Sequence, residues 1–431
     1  MTQEIATDVI LHNQNQPDAF GYQIALVKPT GETYSLTQYA TEINVWESLF
    51  AKACICKIGI FDGAGFMQQV AMQPGDTINL TLMKDEDSKK LIKKFIISEI
   101  GAGARAGNSQ AKTYTVSAMT PHAFKNMHKK VYRGMSGLAS DLVKRICNDY
   151  LETELHEIEF THGQMKIASP GKSPFQMLTQ IQLRAISGRH DEKHSLFFFY
   201  EDREGIKFKT LNSLIEDADT HKFVLSVDKN VDGVADLYKI QHFAQLKVGN
   251  QAERIKSGMY QNEVVEFDHL SRRFQNTQVS YGETAQQLRA LGAGDVVDIA
   301  NNVEGFVNEA KTAIRGLSNV VKFRTSDEAF DKTDEYRTKH GYMLTQKAMF
   351  NQIVFAVQIF GTPEIKVGDI VDVTAPAMSM QSDAPELEKT FQGRFLVGDI
   401  RHRVVNGEQY STILNLFKDS METDNVREAS K

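Results

Sequence analysis

One order of turn and strand occurs twice in this 431-residue chain, once near each end. In the front copy Pro74-Gly75-Asp76 opens the alternating run Thr77-Ile78-Asn79-Leu80-Thr81-Leu82. Phe95-Ile96-Ile97-Ser98-Glu99-Ile100 follows, then a glycine-rich turn and Tyr114-Thr115-Val116-Ser117-Ala118. In the rear copy Val367-Gly368-Asp369 opens Ile370-Val371-Asp372-Val373. Phe395-Leu396-Val397-Gly398-Asp399-Ile400 follows, then a turn at Asn406-Gly407 and Tyr410-Ser411-Thr412-Ile413-Leu414-Asn415-Leu416. Period-two alternation marks half-buried strands, and Gly or Asn-Gly between two such runs marks a hairpin. A chain with two related β modules can build a six-fold-like ring from three subunits, which points to a tubular assembly.

The length allows two to four domains with cores of their own. With 41% hydrophobic and 24% charged residues there is no apolar run of about 18 residues, so no membrane-spanning helix is expected. Met1 to Asp8 has neither the basic patch nor the apolar segment of a signal peptide. Three cysteines (Cys54, Cys56 and Cys147) are too few and scattered for a disulfide framework, which suits synthesis in a reducing compartment. Cys54 and Cys56, two apart in an alternating run, share one face and read as core packing. A net charge of −6 argues against a dedicated nucleic-acid-binding surface. It is compatible with a passage that DNA crosses without sticking, since acidic walls repel phosphates.

Residues 1–119 read as a first β domain, with a strand at Tyr22–Val27, a turn at Pro29-Thr30-Gly31 and a further strand within Ala53–Phe61. Residues 120–234 read as an α+β domain. There Ser136 is expected to cap a helix burying Leu138, Leu142, Val143 and Ile146. Ser173-Pro174 starts a second helix burying Phe175, Leu178, Ile181 and Ala185. Leu196–Tyr200 and Ile206–Lys209 flank a hairpin turn at Asp202-Arg203-Glu204-Gly205. Residues 235–271 and 341–418 read as the second β domain. Glu263–Asp268 is its clearest strand, and a helix at Met343–Met349 leads into a strand at Ile353–Val357. Residues 272–340 read as a partly helical polar insertion, with apolar spacing at Leu288, Leu291, Val296, Val297 and Val303. The charged tail 419–431 reads as flexible.

Three segments resemble sites. Gly101-Ala102-Gly103-Ala104-Arg105-Ala106 matches the GxGxxA form of a dinucleotide fingerprint. The helix that would carry the pyrophosphate is missing, because Gly107-Asn108-Ser109-Gln110 runs straight into a strand, so a hairpin is expected. His190-Asp191-Glu192-Lys193-His194 has the histidine spacing of a zinc hydrolase helix, but it joins a helix to a strand and reads as a solvated loop. Lys89-Lys90 and Lys93-Lys94 lie beside Asp85-Glu86-Asp87 and read as a solvated connection or a subunit contact. No catalytic, cofactor or metal residues are assigned, no cofactor is expected, and a zinc hydrolase or nicotinamide oxidoreductase is the disfavoured alternative.

The resemblance to a known family rests on four stretches: Trp46–Phe50 through Ile58–Asp62 to Met72–Asp76; Ser117–Asn126 through Arg133–Gly137 to Ile146–Leu151; Phe198–Phe208; and Ser257–Asp268. In their order they resemble the baseplate hub protein of contractile-tailed bacteriophages, whose fold is similar to the hub portion of the type VI secretion spike VgrG. The resemblance covers about residues 20–417. It implies a mainly β fold with α+β insertions: two tail-tube-like barrel or bent-sheet domains, a small α+β domain and the helical insertion. It further implies a homotrimer adapting a six-fold tail tube to a three-fold central spike, with a channel for tape-measure protein and for DNA in transit. Implied partners are the spike, the tail tube or its initiator, and neighbouring baseplate proteins, without stable membrane insertion. The implied setting is the virion tail baseplate, assembled in the host bacterial cytoplasm. A hub of a related contractile injection or secretion machine is the alternative. The family brings no catalytic residues, and channel-lining and interface residues do not transfer from it. The last strand ends near the chain end, so a separate spike protein is expected.

Overall fold

The computed structural model of the chain describes residues 10–12, 19–63, 65–85, 88–105, 111–190, 196–225, 238–248, 261–268, 273–280, 291, 320–321, 333–350, 353–375 and 391–419. The front module holds β1 (Ile10–His12), β2 (Phe20–Val27), β3 (Thr33–Ser35), β4 (Ala40–Ser48), β5 (Ile55–Asp62), β6 (Thr77–Met83), β7 (Leu91–Arg105) and β8 (Lys112–Met119). They pair in the order β1-β2-β6-β7-β8-β5-β4, with β3 beside β2. Alternation is the cause: Ile24, Val45, Ile58, Leu80, Phe95 and Val116 all turn to one side and close a single core. Cys54 and Cys56 are buried in that core region as free thiols, which fits the packing reading. A short helix, α1 (Phe66–Val70), starts where the Asp62 carboxylate accepts the Phe66 and Met67 amides at 2.8 and 3.0 Å.

The α+β unit begins with a helix not anticipated from the sequence, α2 (Pro121–His128), which has Thr120 at its N-cap position and proline in its first turn. β9 (Gly134–Leu138) follows, so Ser136 lies in a strand and caps nothing. The helix expected there is α3 (Ala139–Ile146). Its first turn is satisfied from a distance, by Thr161 Oγ1 accepting the Ser140 amide at 2.8 Å. After β10 (Glu157–Ile158), β11 (Thr161–His162) and β12 (Gln164–Ala168) comes α4 (Pro174–Arg184). Here Ser173 caps the helix as expected, and the structure adds the reciprocal bond from Gln176 that completes a capping box. β13 (Ile186–Ser187), the hairpin β14 (Phe197–Glu201) and β15 (Ile206–Thr210), and α5 (Leu211–Asp217) complete the unit. Leu142, Leu178, Ile181, Phe197 and Phe208 form its core.

The rest of the chain holds β16 (Thr220–Val224), β17 (His242–Val248), β18 (Gln261–Asp268), β19 (Arg273–Ser280), β20 (Val320–Val321), α6 (Thr333–Phe350), β21 (Ile353–Phe360), β22 (Ile370–Thr374), β23 (Gly393–Val405) and β24 (Gln409–Lys418); β16, β17 and β21 to β24 make the rear module, while β18, β19 and β20 form a sheet of their own. The segment read as a helical insertion therefore opens with a strand, β19, paired antiparallel to β18. The expected strand at Glu263–Asp268 and helix at Met343–Met349 are present, the helix starting ten residues earlier, at Thr333. Leu291 is buried, whereas Leu288, Val296, Val297 and Val303 lie outside the described residues. So do the end of the α+β segment near Val234, Ser257–Tyr260 of the last family stretch, and the tail from 420 onward. β4 pairs antiparallel with β23, joining both modules into one fourteen-stranded sheet that continues β4-β23-β24-β21-β17.

Candidate assembly surface

The repeat read from the sequence is reproduced bond for bond at its opening turn. The Gly75 amide donates to the Ile97 carbonyl at 2.8 Å, and the Ile97 amide returns to the Asp76 carbonyl at 2.9 Å. In the rear module Gly368 and Val397 make the same exchange with Asp369, both at 2.9 Å. Asp76 Oδ2 accepts the Gln73 amide and Asp369 Oδ2 the Lys366 amide, each at 2.9 Å. Gly75 and Gly368 stand at φ 97° and 93°, in the left-handed half of the map that glycine enters without a Cβ clash. Both carboxylates are buried and meet a basic group, Lys28 at 2.7 Å and His221 at 3.2 Å. Each long strand then carries a bulge at the matching place, between Ile97 and Glu99 and between Val397 and Asp399. The strand orders β6-β7-β8-β5-β4 and β22-β23-β24-β21-β17 therefore correspond element by element.

The seam between the two modules runs from Glu42 opposite Val405 to Ser48 opposite Asp399. Its outward face carries a polar ladder. Arg403 Nε donates to Glu42 Oε1 at 2.9 Å, and Arg401 Nε donates to Asn44 Oδ1 at 2.9 Å. The Arg401 guanidinium also lies over the Trp46 ring at 5.4 Å. Asp399 accepts from Ser48 Oγ at 2.5 Å and from Asn415 Nδ2 at 2.9 Å. Lys57 on β5 is opposite Asn44, and Glu99 on β7 is opposite Ser117, so the same face holds both charge signs.

Several strand edges of this sheet, those of β1, β3, β16, β17 and the far half of β7, lack a partner strand among the described residues. β17 pairs with β21 alone, and its residues from His242 to Leu246 are exposed on both faces. Phe243 keeps 40% and Leu246 58% of its surface in solvent. β7 pairs with β6 up to Ile96 and with the Gly75-Asp76 turn at Ile97, beyond which no strand pairs with its β6-side edge among the described residues. A long open edge with exposed apolar side chains is a template for another strand.

The tip of the β14–β15 hairpin clamps the two modules together. Glu201 accepts the Cys54 amide at 3.0 Å and the Lys93 ammonium at 2.9 Å, and Lys93 also donates to the Asp202 carbonyl. Arg203 donates to the carbonyls of Pro363 and Glu364 in the rear module. Lys207 bonds Asp202 at 3.0 Å and Glu204 at 2.5 Å. Burial opposes ionisation of Glu201, but Lys93, His122 and the Cys54 amide outweigh it and hold its pKa below the ordinary carboxylate value. Burial would likewise neutralise Lys93, yet Cys54, Glu201 and Glu47 raise its pKa. Glu47 is different. Its carboxylate has no hydrogen-bond partner among the described residues, and burial pushes it up to about 8. Lys93, read from the sequence as part of a solvated connection or a subunit contact, is 7% exposed because Leu91, Lys93 and Phe95 alternate onto the core side of β7.

The glycine-rich segment is not a turn. β7 continues through Gly101–Arg105 antiparallel to β8, with a second bulge between Gly101 and Ala104, and residues 106–110 lie outside the described residues. A strand there offers no helix N-terminus for a pyrophosphate. His190 Nε2 faces Ser213 Oγ at 3.1 Å and Glu216 at 3.6 Å, while His194 lies outside the described residues. Among the described residues, His156, Glu157 and Glu204 come close enough to share a cation. Lys207, Lys209 and Lys366 already neutralise those carboxylates.

No family model matches the chain. In sequence it is similar to a probable baseplate hub protein of the Vibrio phage KVP40, 23% identical over 289 residues. That match covers 65% of this chain and 66% of the relative, just under two thirds of its length. In structure it is similar to the tail protein of Neisseria meningitidis MC58, with TM-score 0.54 and 10% identity over 92% of this chain and 97% of that one. It is equally similar to the 43 kDa tail protein of prophage MuSo2 from Shewanella oneidensis, with TM-score 0.54 and 10% identity over 93% and 99%. The chain has the mainly β baseplate hub fold of phage tail proteins.

Proposed function

We propose that this chain is a structural baseplate hub protein of a phage tail, acting as a trimeric ring between a six-fold tube and a three-fold spike. The observation that carries the reading is the doubled module: two equivalent strand sets per chain, joined by a seam and ending at β17 and the far half of β7, which have no partner strand among the described residues. Three copies joined edge to edge place six equivalent modules around an axis, while elements present once per chain, such as the α+β unit, repeat three times. The channel so enclosed admits tape-measure protein and then DNA. The mixed-charge face of Glu42, Lys57, Glu99, Asp399, Arg401 and Arg403 lines it, too sparsely basic to retain a phosphate backbone.

The role is mechanical and non-catalytic, in the virion baseplate, with the spike and neighbouring baseplate proteins as partners. The domains serve it in turn: 1–119 and the pair 235–271 with 341–418 form the ring, 120–234 braces it, and 272–340 contacts its surroundings. Cryo-electron microscopy of the purified assembly tests this. End-on views with six lobes around an open channel support it; a closed particle without a channel would contradict it.

A further inference from the structure

We infer that the open edges of β17 and β7 are mates, pairing antiparallel between successive copies of this chain in one defined register. The inference rests on the ring proposed above and deepens it to named residues.

The register follows from the repeat. Within the chain the β4 edge meets the β23 edge without irregularity, from Glu42 opposite Val405 to Ser48 opposite Asp399. β17 corresponds to β4 through their partners: Asn44 faces Lys57 as Ala244 faces Ala356, and Trp46 faces Ile55 as Lys247 faces Val354. β7 corresponds to β23 through theirs, since Ile97 faces Ala118 as Val397 faces Leu416, and Gly101 faces Thr115 as Arg401 faces Ile413. Because Trp46 is opposite Arg401, Lys247 of one copy should stand opposite Gly101 of the next.

A second, independent observation fixes the pair. β17 has a bulge that β4 lacks over this stretch, with Leu246 as the extra residue between Gln245 and Lys247. β7 has a bulge that β23 lacks, one extra residue between Gly101 and Ala104. Both irregularities fall at the same level of the proposed seam. An extra residue on one strand alone would throw its neighbour out of register and reverse the faces beyond it. One on each strand cancels, leaving an uninterrupted ladder from Phe243 opposite Arg105 to Val248 opposite Ile100. The within-chain seam needs neither bulge and has neither. At the matching levels Gly101 stands where Arg401 does and Ala244 where Asn44 does, so the Arg401–Asn44 rung has no counterpart. The between-copy seam is held instead by backbone bonds and by burial of Phe243 and Leu246.

The test combines cross-linking with compensating deletions. Lys247→Cys with Gly101→Cys should form a disulfide between chains on mild oxidation, since residues directly opposite bring their Cβ atoms to about 4.5–5.5 Å. Gln245→Cys with Gly101→Cys, two residues out of register, should not. The native cysteines are all buried and do not compete. Deleting Leu246 alone, or Gly103 alone, should weaken self-association at least about tenfold, and deleting both should restore it. A trimer that cross-links only in the shifted pair, or whose double deletion is no better than the singles, overturns the register and leaves the ring standing. A wild-type chain that never trimerises overturns both. Should the single deletions not fold, the cysteine pair decides alone.

Discussion

Glu47 is a carboxylic acid sealed beside Lys93, Glu201 and Asp202, and its raised pKa makes stability depend on pH. The folded state binds its proton more tightly than the unfolded chain, so its contribution is complete below about pH 4.5 and is lost as pH rises through about 8. Glu47→Gln should therefore melt at a higher temperature than the wild type at pH 8.5, with the difference shrinking towards pH 5. Equal melting curves at both pH values would mean that Glu47 is not proton-loaded in the folded chain. Lys93→Ala leaves Glu201 charged and buried and should destabilise by about 3–5 kcal/mol in chemical denaturation; a loss under about 1 kcal/mol would place the pair in solvent. The position of Lys93 was legible in the alternation of Leu91, Lys93 and Phe95, but its lysine neighbours masked that signal. Its partner was not legible, because Glu201 lies 108 residues away in sequence.

At the scale of elements, what was local could be read. Ser173-Pro174 starts α4 with Ser173 as its cap, and Asn406-Gly407 turns the β23–β24 hairpin with both residues at positive φ, 51° and 68°. The start of α3 could not, since its cap comes from Thr161, 21 residues on. Nor could the bulges, which depend on what lies across the strand. Gly398 sits in one of them, where a Cβ would come 2.2 Å from the Phe417 ring. That ring is stacked on Phe350 at 5.4 Å and cannot easily retreat. Gly398→Ala should cost about 1–3 kcal/mol by overpacking, measured by thermal melting. In a Phe417→Leu background the cost should be clearly smaller, as for residues in direct contact; additive losses would place the strain elsewhere.

The whole molecule was legible through its duplication, since two similar strand sets have the same turn chemistry and the same alternation. How the sets join was not, because the β4–β23 seam pairs residues 351 apart, such as Ser48 and Asp399, and no local pattern specifies such a contact. That seam sets the account of assembly. With one edge of each module paired internally, β17 and the far half of β7 have no partner strand among the described residues, and the ring proposed above would pair them. The most direct test is the solution mass of the purified chain by light scattering on a sizing column. A trimeric ring gives three times the 48.4 kDa chain, about 145 kDa, for the chain alone, or three copies of the chain per complex once the spike protein is added. A stable dimer under every condition would contradict it.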